Sequence, residues 1–254
     1  MKTSRDPLHT QITNADRKTL SEIIELLGPL VSLEPIGHYA SMTAEEVWLT
    51  LVIQVCVMGS ARPIGRLQSN TARYQDFRKA VSLSTVRNEQ DPATYLEKAF
   101  QRFYATRFYE KSADKLATML SVFQDGRTSL FDGLSHEDDV FQTRDELIQR
   151  CSIFGLKSVS DFMITVGLSH DVIALDTRVT GIFQRYFDYN LSSGQIQSNR
   201  RIYFSLEAAL REVCQDRQVS LALLDRLLFN FGDLSVIELV ARHPELIDRL
   251  REKR

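Results

Sequence analysis

Apolar residues recur along this chain at the spacing of an amphipathic helix, and no segment shows the alternation of a half-buried strand. The clearest example lies between residues 157 and 186, where one amphipathic pattern follows another. Each pattern has apolar side chains at i, i+3, i+4 and i+7, namely Val159, Phe162, Met163 and Val166, then Val179, Ile182, Phe183 and Tyr186. The pattern predicts an all-α fold.

Capping residues and helix breakers indicate where the helices begin and end. Thr43 with Glu46 forms a capping box, Asp91 before Pro92 is a start signal, and Gly167 suits a helix C-terminus. The expected helices are 15–31, 44–58, 71–81, one from 92, 111–123, 130–134, 140–149, 157–166, one from about 176, 205–215, 220–231 and 244–251, with a loop at 192–194.

Residues 152–156 predict a tight hairpin in front of the helix that begins at Lys157. That helix spans about 15 Å, at about 1.5 Å per residue. Segment 168–175 is long enough to return over the same distance. Lys157 and Asp176 are therefore expected close together at two helix N-termini, with Asp176 as an N-cap. An amine facing a carboxylate is a candidate reaction centre, although a solvated lysine and a plain N-cap are the structural alternatives.

These elements predict two helical lobes. One lobe is expected to comprise residues 36–167 and to end in the helix-hairpin-helix. The other is expected to combine residues 1–35 with 168–254. Lys157 falls at the end of the first lobe and Asp176 at the start of the second, so we expect the site in the cleft between them.

The net charge of −2 is less basic than is usual for a nucleic-acid binder. Basic side chains nevertheless concentrate in the N-terminal half: Arg62, Arg66, Arg73, Arg78, Lys79, Arg102, Arg107, Lys111 and Lys115. Some of them are expected to contact phosphates, although scattered surface charge explains any single one as well.

The cysteines, the first residues and the longest apolar run indicate the compartment and whether a metal or a membrane is bound. Cys56, Cys151 and Cys214 are sparse and lack metal-ligand spacing, so buried thiols in a reducing compartment are expected, with no zinc site. The first residues lack the apolar region of a signal peptide, and the longest apolar run, 47–58, is too short to span a bilayer. We expect a cytoplasmic protein with no membrane partner.

The segment 155–162, GLKSVSDF, followed by Gly167 and by Ala174-Leu175-Asp176, resembles the active-site segment of the helix-hairpin-helix DNA glycosylase superfamily. It is most similar to the compact, mainly archaeal 8-oxoguanine DNA glycosylase/AP lyases that lack an iron–sulfur cluster. Weaker similarities cover 55–67, 107–119 and 224–230. Ile153 stands where the family's hairpin usually has its first glycine.

The resemblance implies roles for particular residues. Lys157 would be the nucleophile, assisted by Asp176. DNA contacts would come from the hairpin and from basic side chains of the N-terminal half, namely Ser152, Phe154, Gly155, Arg62, Arg107 and Lys111. Phe229 would line the base pocket and Met58 would act as the wedge, although core packing suits Phe154 and Phe229 equally. No metal site or other cofactor is implied, apart from a monovalent cation that the family's hairpin can hold.

The expected function is a bifunctional DNA glycosylase/AP lyase. It would excise an oxidised base, 8-oxoguanine, from double-stranded DNA through a lysine Schiff base. It would act as a monomer and would associate with the nucleoid when it acts on DNA. One alternative is a monofunctional glycosylase for another modified base, in which Asp176 activates water. The other is a helix-hairpin-helix module that binds DNA without catalysis.

Overall fold

The protein is all-α in a computed structural model that describes residues 12–124, 126–186 and 191–231. The α-helices of the described residues are α1 (Asn14–Leu27), α2 (Ala44–Cys56), α3 (Arg62–Gln68), α4 (Thr71–Ala80), α5 (Leu83–Arg87), α6 (Pro92–Phe103), α7 (Tyr109–Met119), α8 (Val140–Arg150), α9 (Leu156–Thr165), α10 (Thr177–Tyr186), α11 (Ser193–Ser198), α12 (Arg200–Asp216) and α13 (Leu221–Phe231). Short 3-10 helices cover Gly28–Leu30, His38–Ser41 and Leu120–Val122. Strands β1 (Phe123–Gln124) and β2 (Arg127–Thr128) form a two-stranded antiparallel ladder.

The predicted capping signals are confirmed. The Thr43 and Glu46 side chains cap each other's backbone N–H groups at the start of α2, and the Asp91 side chain accepts a hydrogen bond from the Thr94 N–H at 3.1 Å. At the end of α9, Gly167 adopts a φ of +66°. This left-handed residue lets the Leu168 N–H reach the Met163 carbonyl at 2.9 Å, which closes the helix.

Several predicted boundaries are wrong. Residues 130–134 form turns rather than a helix, and Gly133 has a φ of +71°, which a right-handed helix excludes. Residues 192–194 are not a loop, because Ser192 caps α11 through the Gln195 N–H at 3.3 Å. Helix α12 begins at Arg200, before the predicted start at 205.

Two short helices, α3 and α5, had no prediction. Each has fewer than eight residues, so neither shows a full amphipathic repeat. The expected helix 111–123 ends at Met119, after which Phe123 enters the β-ladder. The predicted terminal helix 244–251 and the Tyr186 side chain lie outside the described residues.

The chain divides into two compact units. One contains the chain up to Ile36 and again from Met163, and the other is Gly37–Phe162. The division therefore falls within α9. Sequence patterns had placed it near residues 36 and 167.

In the Gly37–Phe162 unit the core surrounds α2, which is buried along most of its length. Trp48 is fully buried there, donates its indole N–H to the Val81 carbonyl at 2.7 Å and meets Phe123 edge-on, with the ring centroids 5.6 Å apart. An indole N–H with an acceptor avoids the cost of a buried polar group without a hydrogen bond. The twelve-residue apolar run of the sequence is thus a core helix.

The other unit packs α1, α10, α12 and α13 around a second apolar core. Its buried side chains include Leu20, Leu27, Val179, Phe183 and Leu224, so the amphipathic face predicted for α10 is confirmed. Among the described residues, no helix is long and apolar enough to cross a membrane.

The three cysteines are free and buried. Burial raises the pKa of the Cys151 and Cys214 thiols to about 12, and it raises the pKa of Cys56 further still. These thiols are therefore protonated core side chains at neutral pH. Among the described residues, no group of three His, Cys, Asp or Glu side chains is arranged to hold a metal ion.

Candidate active site

The hairpin between α8 and α9 is closed by its own backbone. The Phe154 N–H donates to the Cys151 carbonyl at 3.1 Å, and the Gly155 N–H donates to Ser158 Oγ at 2.9 Å. The Gly155 carbonyl accepts from the Val159 N–H at 2.9 Å and from Ser158 Oγ at 3.1 Å. Several polar groups that a phosphate or a cation would use are thus already hydrogen-bonded, and the monovalent cation stays a prediction.

Ile153 fits the hairpin although the family usually has glycine there. Its φ is negative, since the positive-φ residues other than glycine are Tyr104 and Gln218 among those described. A β-branched residue tolerates such a backbone, and the Ile153 side chain is buried. The replacement therefore adds core contact without backbone strain.

Phe154 was predicted to contact DNA, with core packing as an equal alternative, and the structure buries its side chain in the core. Its ring packs against Phe162 with the centroids 4.9 Å apart, and its N–H is used inside the turn. Phe154 therefore offers DNA neither an open ring face nor an open donor. Ser152, by contrast, is exposed, and its Oγ lies 3.0 Å from Thr118 Oγ1 at the hairpin surface.

Lys157 lies in the first turn of α9, directly after the hairpin. Its Nζ is 3.3 Å from Oδ2 of Asp161, and the side chains of the two residues are 24% and 17% exposed. Gln54, on α2, donates its amide to the same Asp161 oxygen at 3.2 Å. The sequence analysis missed Asp161, although its position four residues after Lys157 is the usual signal for a side-chain pair on one helix face.

Asp176 caps α10, as predicted. Its Oδ1 accepts from the Arg178 N–H at 2.8 Å and from the Val179 N–H at 2.9 Å. Its Oδ2 makes no hydrogen bond within the part of the chain that the structure describes. One oxygen therefore holds the helix, and the other is open to a second role.

The segment in front of Asp176 has no regular secondary structure, and side chains satisfy several of its backbone groups. The Ile173 N–H donates to Glu207 at 3.4 Å, and the Ala174 N–H donates to Asp225 at 2.7 Å. Both carboxylates are buried. Carboxylate acceptors make stronger hydrogen bonds than neutral ones, so this part of the backbone is firmly held.

Two further side chains complete this scaffold. The Tyr203 hydroxyl donates to the Ile173 carbonyl at 2.6 Å and accepts from the Leu175 N–H at 3.3 Å. The Gln197 amide donates to the Leu175 carbonyl at 2.9 Å. The residue just before Asp176 is therefore held through both its N–H and its carbonyl. We call Gln197, Tyr203, Glu207 and Asp225 the Asp176 scaffold.

A basic cavity of about 690 Å³ lies in the Gly37–Phe162 unit. Its lining includes four arginines, Arg62, Arg66, Arg73 and Arg107. Tyr104 also lines it, 68% exposed and with a φ of +52°. The structure thus gathers two of the predicted DNA-contact residues, Arg62 and Arg107, around one cavity. Lys111 is exposed on α7 but is not part of the lining.

The predicted wedge residue, Met58, is half-buried at the end of α2 and is followed by Gly59, whose φ is +72°. A Cβ at Gly59 would lie 2.6 Å from the ring of Phe108, so this turn requires glycine on two grounds. The wedge role of Met58 stays a prediction.

The predicted base-pocket residue, Phe229, is exposed on α13, and the Arg178 guanidinium lies 4.3 Å from its ring centroid. That cation–π contact covers one face of the ring. A base stacking on Phe229 would have to use the other face of the ring, unless Arg178 moves. The base-pocket role stays a prediction.

This arrangement defines a class, namely all-α helix-hairpin-helix proteins that carry a lysine just after the hairpin and an aspartate at the next helix N-cap. The family model for 8-oxoguanine DNA glycosylase (Ogg-HhH) matches residues 75–219, more than half of the chain. The chain belongs to this family, whose members act in base excision repair of DNA. None of the curated proteins matches the chain.

The fold is similar to that of two solved structures of an archaeal enzyme. The 8-oxoguanine DNA glycosylase of Methanocaldococcus jannaschii matches with a TM-score of 0.61 and 17% identity, over 85% of this chain and 94% of that one. The glycosylase/lyase of the same organism, in complex with a 15mer DNA containing 8-oxoguanine, matches with a TM-score of 0.54 and 17% identity, over 85% and 89%. At this level of identity the similarity concerns the fold.

Proposed function

We propose that this glycosylase is bifunctional. It removes 8-oxoguanine from double-stranded DNA and then cleaves the strand through a Schiff base on Lys157. The observation that carries the proposal is the Lys157 amine in the first turn after the hairpin, three-quarters buried in a chain of this family. A partly enclosed amine at a helix N-terminus is suited to attack a sugar carbon.

In the proposed reaction the neutral Lys157 amine attacks C1′ of the damaged nucleotide. The glycosidic bond breaks, and the base leaves with the bonding electrons and takes up a proton. The C1′–O4′ bond then opens as the nitrogen electron pair forms the iminium, the Schiff base, and O4′ takes up a proton from water to become a hydroxyl. Loss of the C2′ proton expels the 3′ phosphate and cleaves the strand, which is β-elimination.

Asp176 supports this reaction in one of two ways. Its Oδ2 is open to stabilise the positive charge that develops on the sugar as the glycosidic bond breaks. Alternatively, it accepts a proton from the attacking amine. In both, Asp176 keeps its N-cap through Oδ1 while Oδ2 acts.

The DNA contacts of the proposal come from Ser152 and Gly155, both exposed at the hairpin, and from the arginine-lined cavity. For Gly155 the contact requires that Ser158 Oγ release the Gly155 N–H to a phosphate. Four guanidinium groups around one cavity suit a phosphate backbone better than isolated surface charges do. Lys111 adds an exposed charge on α7. We assign Phe229 to stacking on the extruded base and Met58 to the wedge that fills its place in the duplex.

Borohydride trapping tests the lysine assignment. The wild-type protein should form a covalent adduct with a labelled duplex that carries 8-oxoguanine, and Lys157→Gln should form none. Lys18→Gln is the matched control, because Lys18 also pairs with an acidic residue four positions on, Glu22, but lies exposed on α1. An adduct that persists in Lys157→Gln would contradict the proposal.

One observation favours a second function. The Lys157 Nζ already contacts the Asp161 carboxylate at 3.3 Å, so the amine is engaged in an ion pair rather than free to attack. A monofunctional glycosylase in which Asp176 activates water is compatible with that pairing. It predicts base release without an adduct, and Lys157→Gln would then keep its excision activity. Duplex binding without base release would instead indicate a module that binds DNA only.

A further inference from the structure

The Lys157–Asp161 pair differs from the ion pairs that stabilise helices. On a helix, an acidic residue that precedes a basic one by four positions is the favourable order, because it matches the helix dipole. Here the lysine precedes the aspartate and lies in the first turn, where the dipole disfavours a positive charge. Helix stability therefore does not explain the pair.

The carboxylate of this pair is also held from a second helix. Gln54 is only 6% exposed among apolar neighbours in the last turn of α2, and its amide donates to the same Asp161 oxygen that meets Lys157. Its Oε1 makes no hydrogen bond among the described residues, which is an energetic cost. A buried glutamine that leaves one polar atom unpaired is better explained by the position of Asp161 than by core stability.

We propose that Asp161 is the positioning residue of the Lys157 amine and that Gln54 fixes Asp161 in turn. The inference rests on the proposed role of Lys157 as nucleophile. The carboxylate keeps the amine at one place beside the hairpin. It is also an acceptor in contact with the amine, so it can take the proton that the ammonium must lose before attack, a transfer that leaves a neutral amine and a carboxylic acid.

The first test compares the rate of chemistry with DNA affinity. Asp161→Asn keeps the shape but removes the charge, so the single-turnover rate of adduct formation should fall by about tenfold or more. Affinity for a duplex with a reduced abasic site should stay within about twofold, because Asp161 is not placed at the DNA surface. Asp161→Glu should recover most of the rate, and Glu22→Gln, which breaks the pair with Lys18, should match the wild type.

Two outcomes would overturn the inference about Asp161. If Asp161→Asn forms the adduct at the wild-type rate, Asp161 does not position the amine. If its rate, its DNA affinity and its melting temperature fall together and Asp161→Glu restores none of them, Asp161 is only structural. Gln54→Leu should give a smaller loss of rate in the same direction, and an unchanged rate would remove Gln54 from the arrangement.

A second readout needs no DNA and so separates this inference from the proposed function. Reductive methylation with formaldehyde and cyanoborohydride, read by peptide mass spectrometry, reports how readily each lysine reacts as a free amine. Asp161→Asn should raise the rate at Lys157, because the amine is released from its ion pair. The rise should be about threefold, because a partly exposed ion pair is a modest interaction. Lys111 and Lys115 on α7 should be unchanged. A wild-type protein that traps no DNA would refute the lyase, whereas an unchanged Lys157 rate would refute the positioning role.

Discussion

Lys157 and Asp176 are held by two different kinds of support. The Lys157 side chain meets a carboxylate on its own helix, through a contact that is partly exposed. Asp176 is fixed mainly through the backbone in front of it, which the Asp176 scaffold holds by hydrogen bonds. The Asp161 contact acts on the Lys157 side chain and affects the reactivity of its amine. The Asp176 scaffold acts on the main chain and fixes the position of Asp176.

This difference has an energetic consequence. A partly exposed ion pair contributes little to folding, so Lys157 can be replaced without unfolding the protein. A buried carboxylate that satisfies a backbone N–H contributes more, because its loss leaves a buried donor without an acceptor. We therefore expect changes near Lys157 to alter activity alone and changes in the scaffold to alter stability first.

The largest stability effect is expected from the scaffold. Asp225→Ala removes the acceptor of the Ala174 N–H and should lower the free energy of unfolding by about 3 kcal/mol. Urea unfolding measures it. Asp216→Ala, at an exposed position at the end of α12, is the control and should change the free energy by less than about 0.5 kcal/mol. If the two variants lowered the free energy of unfolding equally, the Asp176 scaffold would not contribute more to stability than an exposed residue does.

Asp176→Ser separates the cap from the chemistry. Serine is a good N-cap, so the free energy of unfolding should change by less than about 1 kcal/mol. The carboxylate is lost, so the single-turnover rate of base release should fall by about 100-fold. Asp176→Ala should lose the same activity and also about 1 kcal/mol of stability. Base release at the wild-type rate in the serine variant would make Asp176 a cap and nothing more.

The buried thiols give a pH dependence in each unit. Folding raises the thiol pKa of Cys151 and Cys214 from the ordinary 9.0 to about 12, so the unfolded chain loses these protons first. Stability is thus complete below about pH 9 and falls as the pH rises towards 12, by about 1.4 kcal/mol per pH unit for each thiol. Urea unfolding at pH 8 and pH 10 should show a smaller fall in Cys214→Ala. An equal fall in that variant would contradict this origin.

The smallest effect is expected at Lys157 itself. Lys157→Gln should lower the free energy of unfolding by no more than about 1 kcal/mol, because the pair is partly exposed and Asp161 keeps its hydrogen bond from Gln54. Urea unfolding measures this as well. A loss as large as that of Asp225→Ala would show that Lys157 is a structural residue, and the two supports would then no longer differ.

The local parts of the site were open to prediction from the sequence. Apolar spacing gave α9 and α10, Gly167 gave the end of α9, and Asp176 gave the N-cap of α10, because each depends on neighbours within a few residues. The Asp161 pair was equally local and was overlooked. For Phe154 the sequence left DNA contact and core packing both open, because apolar character alone does not show whether a turn residue is exposed, and the structure buries its side chain.

By itself, the sequence determined the helical fold, the hairpin, and the lysine and aspartate that the family resemblance marks. Only the tertiary structure decided what holds them: Gln54 reaches Asp161 from 107 positions away, and Asp225 reaches Ala174 from 51. Periodicity describes which face of a helix is apolar, but it does not describe which distant polar side chain that face meets. Hydrogen bonds are short-ranged and directional, so these partners exist only once the chain has packed.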